Sequence, residues 1–216
     1  MTCKYFPIHH LSGMCYNKME VLILRFVMRI ITGSAKGCNL KTPKGMSTRP
    51  TSDRVKESLF SILGKDVYGR VLDIFAGTGG LGLEALSRGA DSCIFIDKAT
   101  ADIIRENAAH TRLAERCRVL KGDVFAWLRH LEAAGEKFDL VFCDPPYHHG
   151  LAHRALELLD DSSLLAEDAI LVVELGNDEA DLPETRRLKL VKNQKYGKTT
   201  QISFYHLPVE KGRGAL

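Results

Sequence analysis

Long hydrophobic runs and paired cysteines are both missing from this chain. No stretch reaches the roughly 18–20 apolar residues that cross a bilayer; the nearest, Val21 to Val27, is short and carries Arg25. That run also lacks a small-residue cleavage site, which argues against a secretory leader. The six cysteines (Cys3, Cys15, Cys38, Cys93, Cys117 and Cys143) include no C-x-x-C pair. Their spacing argues against structural zinc and disulfides, and for free thiols in the reducing cytoplasm. No metal is expected, because His148-His149 is an adjacent pair whose side chains point apart. Tryptophan is scarce: Trp127 stands alone and reads as packing. Internal repeats and low-complexity tracts are absent.

Charge of one sign is also in short supply, with a formal net charge of +3 over 216 residues. Its distribution is uneven. Residues 29–56 hold seven basic side chains (Arg29, Lys36, Lys41, Lys44, Arg49, Arg54, Lys56) against one acid, Asp53. Arg186 to Lys198 holds six and no acid. Two basic segments at opposite ends of the chain, brought together, would make a patch for a polyanion. Hydrophobic content of 45% with 26% charged residues predicts an ordinary globular core.

Four segments follow from the pattern. Residues 1–27 show no period and carry internal methionines at 14 and 19; Met28 opens a more regular segment, so this extension is read as dispensable or as lying before the usual start. Residues 28–64 read as a small basic unit. In it a hairpin over 29–42 turns at Gly33–Gly37, and a helix carries Val55, Leu59, Ile62 and Leu63 on one face, Asp53 in its first turn and Gly64 as its stop. Residues 65–210 read as one domain, and 211–216 as a tail.

Within 65–210, apolar runs at Val71–Ile74, Cys93–Ile96, Val119–Leu120, Phe138–Cys143 and Ile170–Leu175 alternate with helical patterns. The helices are expected at Leu81–Arg88, Ala101–Thr111, Val124–Ala134 and Leu151–Leu159. Such alternation demands right-handed crossovers, hence an α/β fold: a mostly parallel twisted sheet with helices on both faces. Leu188–Gln194 and Gln201–Leu207, joined near Tyr196-Gly-Lys198, predict an antiparallel hairpin at its edge.

The first strand runs into Asp73-Ile-Phe-Ala-Gly-Thr-Gly-Gly-Leu-Gly82. Glycines at 77, 79 and 82 permit a tight turn and close approach to a ligand, a pattern that suits a nicotinamide as well as S-adenosylmethionine. Asp97, ending the second strand, is placed for ribose hydroxyls. Asp123 is placed either for an adenine amino group or as the N-cap of the next helix. At the carboxyl end of the fourth strand stands Asp144-Pro-Pro-Tyr147. Consecutive prolines stop strand pairing and stiffen the loop. The Asp144 carboxylate and Pro145 carbonyl become fixed acceptors, and Tyr147 offers a flat face for a base. Two acceptors directed at one NH2 orient its lone pair and favour the positive charge that grows on nitrogen during methyl transfer. A nicotinamide-dependent oxidoreductase accounts for the glycines and Asp97 but not for this loop. A non-catalytic RNA-binding module would have no use for an intact four-part site.

These spacings resemble the class I amino-methyltransferases. Arg49-Pro-Thr-Ser-Asp-Arg-Val-Lys-Glu-Ser-Leu-Phe60 and Lys195-Tyr-Gly-Lys-Thr199 resemble one family in particular, the bacterial small-subunit rRNA guanine-N2 methyltransferases (the RsmD family), over residues 28 to about 207. Asp-Pro-Pro-Tyr alone is shared with adenine-N6 enzymes; the flanking motifs favour guanine. The resemblance implies a Rossmann-like fold, S-adenosylmethionine as cofactor and 16S ribosomal RNA as substrate, free or in a small-subunit particle. It implies cofactor contacts from Asp73, Phe75, Ala76, Gly77, Thr78, Gly79, Asp97, Lys98, Asp123, Val124 and Asp144. Asp144, Pro145, Pro146 and Tyr147 would take the target base. Arg49 and Thr51 would close over the methionine end of the cofactor or meet RNA. RNA contacts are expected from Lys36, Lys41, Arg49, Arg54, Lys195, Tyr196 and Lys198. Asp97 stands where glutamate is commoner in the family, and residues 1–27 fall outside its pattern.

Overall fold

The computed structural model describes residues 28–43, 53–179 and 181–209. The 1–27 extension, Arg49, Thr51 and the 211–216 tail lie outside them. Helix α1 (Asp53–Leu63) precedes β1 (Arg70–Ile74), α2 (Gly80–Arg88), β2 (Ser92–Asp97), α3 (Ala101–His110) and β3 (Cys117–Lys121). Then come α4 (Val124–Ala133), β4 (Phe138–Cys143), α5 (Leu151–Asp161), β5 (Leu165–Gly176), β6 (Lys189–Tyr196) and β7 (Thr200–His206). The seven strands form one sheet in the order β3-β2-β1-β4-β5-β7-β6. The first five are parallel, and β7 runs antiparallel to both β5 and β6.

Strands β1, β2 and β4 are mostly apolar on both faces because helices cover both, with Asp73 of β1 the buried exception. On one face α4 and α5 bury Leu128, Leu131, Ala155, Leu156 and Leu159 over Leu72, Ile74, Ile96 and Val141. On the other, α1, α2 and α3 bury Leu59, Phe60, Leu83, Leu86 and Ile104 over Val71, Phe95, Leu140 and Phe142. Strand β6 is an exposed edge carrying a register shift between Leu190 and Lys192. Its lysines at 189, 192 and 195 and that shift are devices that discourage edge-to-edge pairing.

Two expectations for residues 28–64 need correction. The expected hairpin shrinks to a single antiparallel bridge, Arg29 with Asn39. The reason lies in where its backbone donors go: Ile31 and Thr32 N–H bond the Glu84 carboxylate at 2.7 and 2.9 Å rather than a facing strand. In α1 the buried stripe is Lys56, Leu59, Phe60 and Leu63, with Val55 and Ile62 only half-buried. The helix face is rotated because Lys56 points inward to Glu84 (3.4 Å) and to the Arg29 carbonyl. Gly64 ends α1 as expected, and a 3-10 turn, Gly64–Asp66, follows.

Candidate active site

Ile74 and Cys143 are the last partners of β1 and β4. The glycine turn and the diproline loop therefore leave adjacent strands side by side. This is also where the strand order reverses, the place at which doubly wound sheets open a crevice. Along the carboxyl edge of the sheet the order is Asp123 after β3, Asp97 at the end of β2, Phe75–Gly79 after β1, Asp144–Tyr147 after β4, and Glu174–Gly176 ending β5.

The turn after β1 is held from every side. Phe75 adopts a left-handed backbone (φ 59°), a conformation that costs a non-glycine residue of order 1–3 kcal/mol and marks functional turns. Its ring meets Phe125 edge-on at 6.0 Å. Gly77 is also left-handed (φ 56°), and nothing lies within 4 Å of where a side chain would begin. That open backbone is what a closely approaching cofactor requires. Asp73 is buried, and its Oδ2 accepts the Gly82 N–H at 2.9 Å. Burial pushes its carboxyl up to about 8. Thr78 and Gly79 are buried; Lys98 is exposed.

Asp97 organises two turns at once. Its Oδ2 accepts the Gly77 N–H at 3.0 Å, and its Oδ1 accepts Ala99 and Thr100 N–H, each at 2.8 Å. Two carboxylate oxygens offer about four acceptor positions, so three backbone donors leave room for a ribose hydroxyl. Asp123 is exposed, and its Oδ1 caps α4 through Ala126 N–H at 2.9 Å. Capping occupies one oxygen and leaves the other free for a ligand, so the two roles read from the sequence are compatible. Val124, next to it, is buried.

In the loop after β4, Asp144 is half-buried, Pro145 buried and Pro146 exposed. The half-buried Tyr147 donates its hydroxyl to Glu174 Oε1 at 2.9 Å, with Thr200 Oγ1 3.3 Å away. Burial, then the Glu174 charge, push the Tyr147 phenol well above its ordinary range. Burial likewise raises the thiols of Cys93, Cys117 and Cys143, which makes them poor nucleophiles. Trp127 donates its indole N–H to the Lys121 carbonyl at 3.2 Å. Among the described residues no group of three or more His, Cys, Asp or Glu could hold a metal ion, and no helix is long and apolar enough to cross a membrane.

The two basic segments do meet. Tyr196 of β6 donates its hydroxyl to Ser58 of α1 at 2.8 Å, which sets the helix carrying Arg54 beside the strand carrying Lys195. Arg54, Lys195 and Lys198 are exposed, as is Lys36; the Lys41 ammonium pairs with Glu106 at 2.7 Å.

Three residues around the site went unread in the sequence, Glu84, Asn107 and Glu174, and Lys56 was counted only in a basic run. Asn107 is fully buried. Its amide accepts Lys41 N–H at 2.7 Å and donates to the carbonyls of Lys41 and Thr78 at 3.1 and 2.9 Å. Thr78 Oγ1 also donates to Met28 Sδ at 2.8 Å. The 28–43 segment is thereby fastened to the glycine turn. A charged residue at a buried-face position, as Glu84 is within α2, was the available signal.

The sheet order, which reverses between β1 and β4, defines a class I methyltransferase fold. RNA methyltransferase from Salinibacter ruber, solved with S-adenosyl-L-homocysteine, shares the fold at a TM-score of 0.56 and 14% identity, over 75% of this chain and 95% of that one. A family model described as "Conserved hypothetical protein 95" matches residues 28–206, and the chain belongs to this family, that of the small-subunit ribosomal RNA methyltransferase D. YlbH of Bacillus subtilis is 42% identical over 179 residues, 80% of this chain and 95% of its own length. Ribosomal RNA small subunit methyltransferase D of Escherichia coli (strain K12) is 39% identical over 150 residues, 68% of this chain and 74% of its own. The solved yhhF chain of Escherichia coli superposes with a TM-score of 0.71 at 34% identity, covering 83% of this chain and 97% of that one.

Proposed function

We propose that the chain transfers a methyl group from S-adenosylmethionine to the exocyclic N2 of a guanine in 16S ribosomal RNA, in the cytoplasm. The observation that carries this reading is the adjacency of β1 and β4, which sets the open glycine turn beside the Asp144–Tyr147 loop. Support also comes from relatives named as small-subunit rRNA methyltransferases.

The cofactor, when bound, supplies a methyl group activated by a sulfonium. The chain's residues do the rest. The backbone at Phe75–Gly79 would cradle the cofactor, with Asp97 at the ribose, Asp123 and Val124 at the adenine, and Lys98, Arg49 and Thr51 nearby. Asp144 and the Pro145 carbonyl would accept the two N2 hydrogens, turning the lone pair toward the crevice. They would favour the charge that develops on nitrogen, which is discharged when one of its protons passes to Asp144 or water. Pro146 keeps the loop stiff, and Tyr147 stacks on the base after it leaves its helix. Positioning and electrostatics account for the rate, with no covalent enzyme intermediate. The patch joining α1 and β6, with Lys36, Arg54, Lys195 and Lys198, would grip the RNA backbone. A small-subunit particle or assembly intermediate would be the form presented to it. Residues 28–64 would act as the substrate-facing part of the 65–210 cofactor domain.

Asp144→Ala is expected to abolish methylation of rRNA from a strain lacking this gene while cofactor binding stays measurable by calorimetry. Asp97→Ala should weaken the cofactor first. Equal loss of both functions in Asp144→Ala would overturn this division of roles. Labelling guanine and adenine homopolymers with a radioactive methyl donor separates the guanine from the adenine activity. RNA affinity should fall steeply with salt, as contacts to phosphates require.

A further inference from the structure

We infer that Glu174 is a positioning residue: by accepting the Tyr147 hydroxyl it fixes the plane of the ring on which the target base stacks. The inference rests on Tyr147 being that platform. Glu174 lies on β5, two residues before the strand ends, and is only 7% exposed. The Tyr147 hydroxyl reaches it at 2.9 Å and lies 3.3 Å from Thr200 Oγ1 on β7. The ring lies over Gly176, whose missing Cβ would sit 3.6 Å from Tyr147 Cδ2. One phenol thus ties the β4 loop to the ends of two further strands.

Stacking needs only the ring. A phenylalanine would offer a base nearly the same face, so the hydroxyl's contribution lies elsewhere. Without its anchor the ring can hop among staggered χ1 wells, and each hop moves the base away from the acceptors at 144 and 145. Burying a carboxylate to hold a phenol is costly. That cost makes sense where small displacements slow a reaction far more than they weaken binding. Burial and the neighbouring carboxylate keep the phenol protonated at any working pH, so it remains a donor to Glu174. The anchor also adjoins the 197–199 turn between β6 and β7, which contains Lys198 and follows Lys195 of β6. The platform and a proposed RNA contact therefore share one support.

The test is single-turnover methylation of unmodified 16S rRNA by the full chain, with cofactor affinity read by calorimetry and folding by thermal melting. Tyr147→Phe and Glu174→Ala should each lower the rate about tenfold to a hundredfold, with cofactor affinity unchanged. Combined, they should cost no more than either alone. Glu174→Gln, which keeps an acceptor oxygen, should recover most of the loss. Two results would overturn the inference: a wild-type rate in Tyr147→Phe, or an equal further loss when Glu174→Ala is added to Tyr147→Phe. Tyr147→Ala tests the platform itself; a wild-type rate there would sink the stacking reading, whereas loss there beside a wild-type Tyr147→Phe rate would sink only the role of Glu174.

Discussion

The two faces of the sheet are built on different principles. Beneath α4 and α5 the core is hydrocarbon, and it would tolerate shape-conserving exchange. Beneath α1, α2 and α3 lie four of the five charged residues that are buried among the described residues: Lys56, Asp73, Glu84 and Glu174. Glu84, fully buried, gathers Lys56, Arg88 (2.9 Å) and the backbone of Ile31 and Thr32. Apolar contacts are non-directional and hold elements together without setting their angle. Hydrogen bonds to a buried carboxylate have one geometry. The face that must hold the 28–43 segment in fixed relation to the glycine turn is the one that carries the polar network. The fifth buried charge, Asp160, shows the same use on the apolar face: it receives the backbone N–H groups of Arg186, Arg187 and Leu188 at 2.6, 3.0 and 2.8 Å, where the chain turns toward β6.

Removing Glu84 should break this contrast most severely. Glu84→Ala leaves Lys56 buried without its carboxylate, a change expected to cost about 3–5 kcal/mol in urea denaturation. Leu128→Ala, opposite it in the apolar face, is expected to cost about 2–5 kcal/mol, so stability alone will not separate them. Cofactor affinity of the folded fraction will: it should fall in Glu84→Ala and hold in Leu128→Ala. Equal affinities would mean that the network is structural ballast. The glycines of the 28–43 segment sharpen the point. Gly33 and Gly37 are both left-handed, at φ +88° and +84°. Alanine at either position costs about 1–2 kcal/mol of backbone strain. At Gly33 the new Cβ would also fall 1.8 Å from the Ser87 carbonyl oxygen, whereas at Gly37 nothing lies within 4 Å. Gly33→Ala should therefore lose about a further 1–3 kcal/mol, read as a lower melting temperature than Gly37→Ala. Asn107→Asp keeps the acceptor for Lys41 N–H but loses the donor to Thr78 O. A roughly tenfold weaker cofactor affinity is expected.

What the sequence disclosed divides along the same line. Among the described residues the period of apolar residues placed the five helices and the buried strands, because burial repeats at fixed intervals, and the turn near Tyr196-Gly-Lys198 placed the exposed strand β6. Glycines and prolines marked the turn and the diproline loop, because backbone constraints are local. Lys56 was counted in the basic segment 29–56, since a lysine buried by one carboxylate looks like any other until its partner is known. Glu84 lies 28 residues further on, and no local rule pairs them. The hairpin over 29–42 is shorter than expected for the same cause: Gly33 and Gly37 mark its turn, but the Ile31 and Thr32 donors that would have extended its strands go to a side chain on α2. Asn107 and Glu174 were invisible because their work is done across the fold. The strand ends that meet at the crevice followed from topology alone, so the motifs were legible while their supports were not.

A last expectation separates the faces by the sign of their response to pH. Burial pushes the Asp73 carboxyl up to about 8, whereas an unfolded aspartate titrates near 4. Between those values the native chain holds a proton that the unfolded chain has lost, so this group's contribution to stability falls as pH rises from about 4 to about 8. Asp73→Asn keeps an oxygen for the Gly82 N–H and has nothing to titrate; its melting temperature should lose that decline. Asp160 has the opposite sign. Burial acts to raise its carboxyl, but the N–H groups of Leu188, Arg186 and Arg187 outweigh burial and hold it below the ordinary range. Its contribution is present above about pH 4 and is lost as pH falls through the lowered value. Melting curves of Asp73→Asn and Asp160→Asn, each subtracted from wild type across pH 3 to 9, should therefore slope in opposite windows: Asp73 between about 4 and 8, Asp160 below about 4. A flat difference curve for Asp73→Asn would mean that its carboxylate stays charged in the native chain. The Gly82 N–H and the neighbouring turn would then be solvating an anion, and the polar face would owe more to charge than to hydrogen-bond geometry.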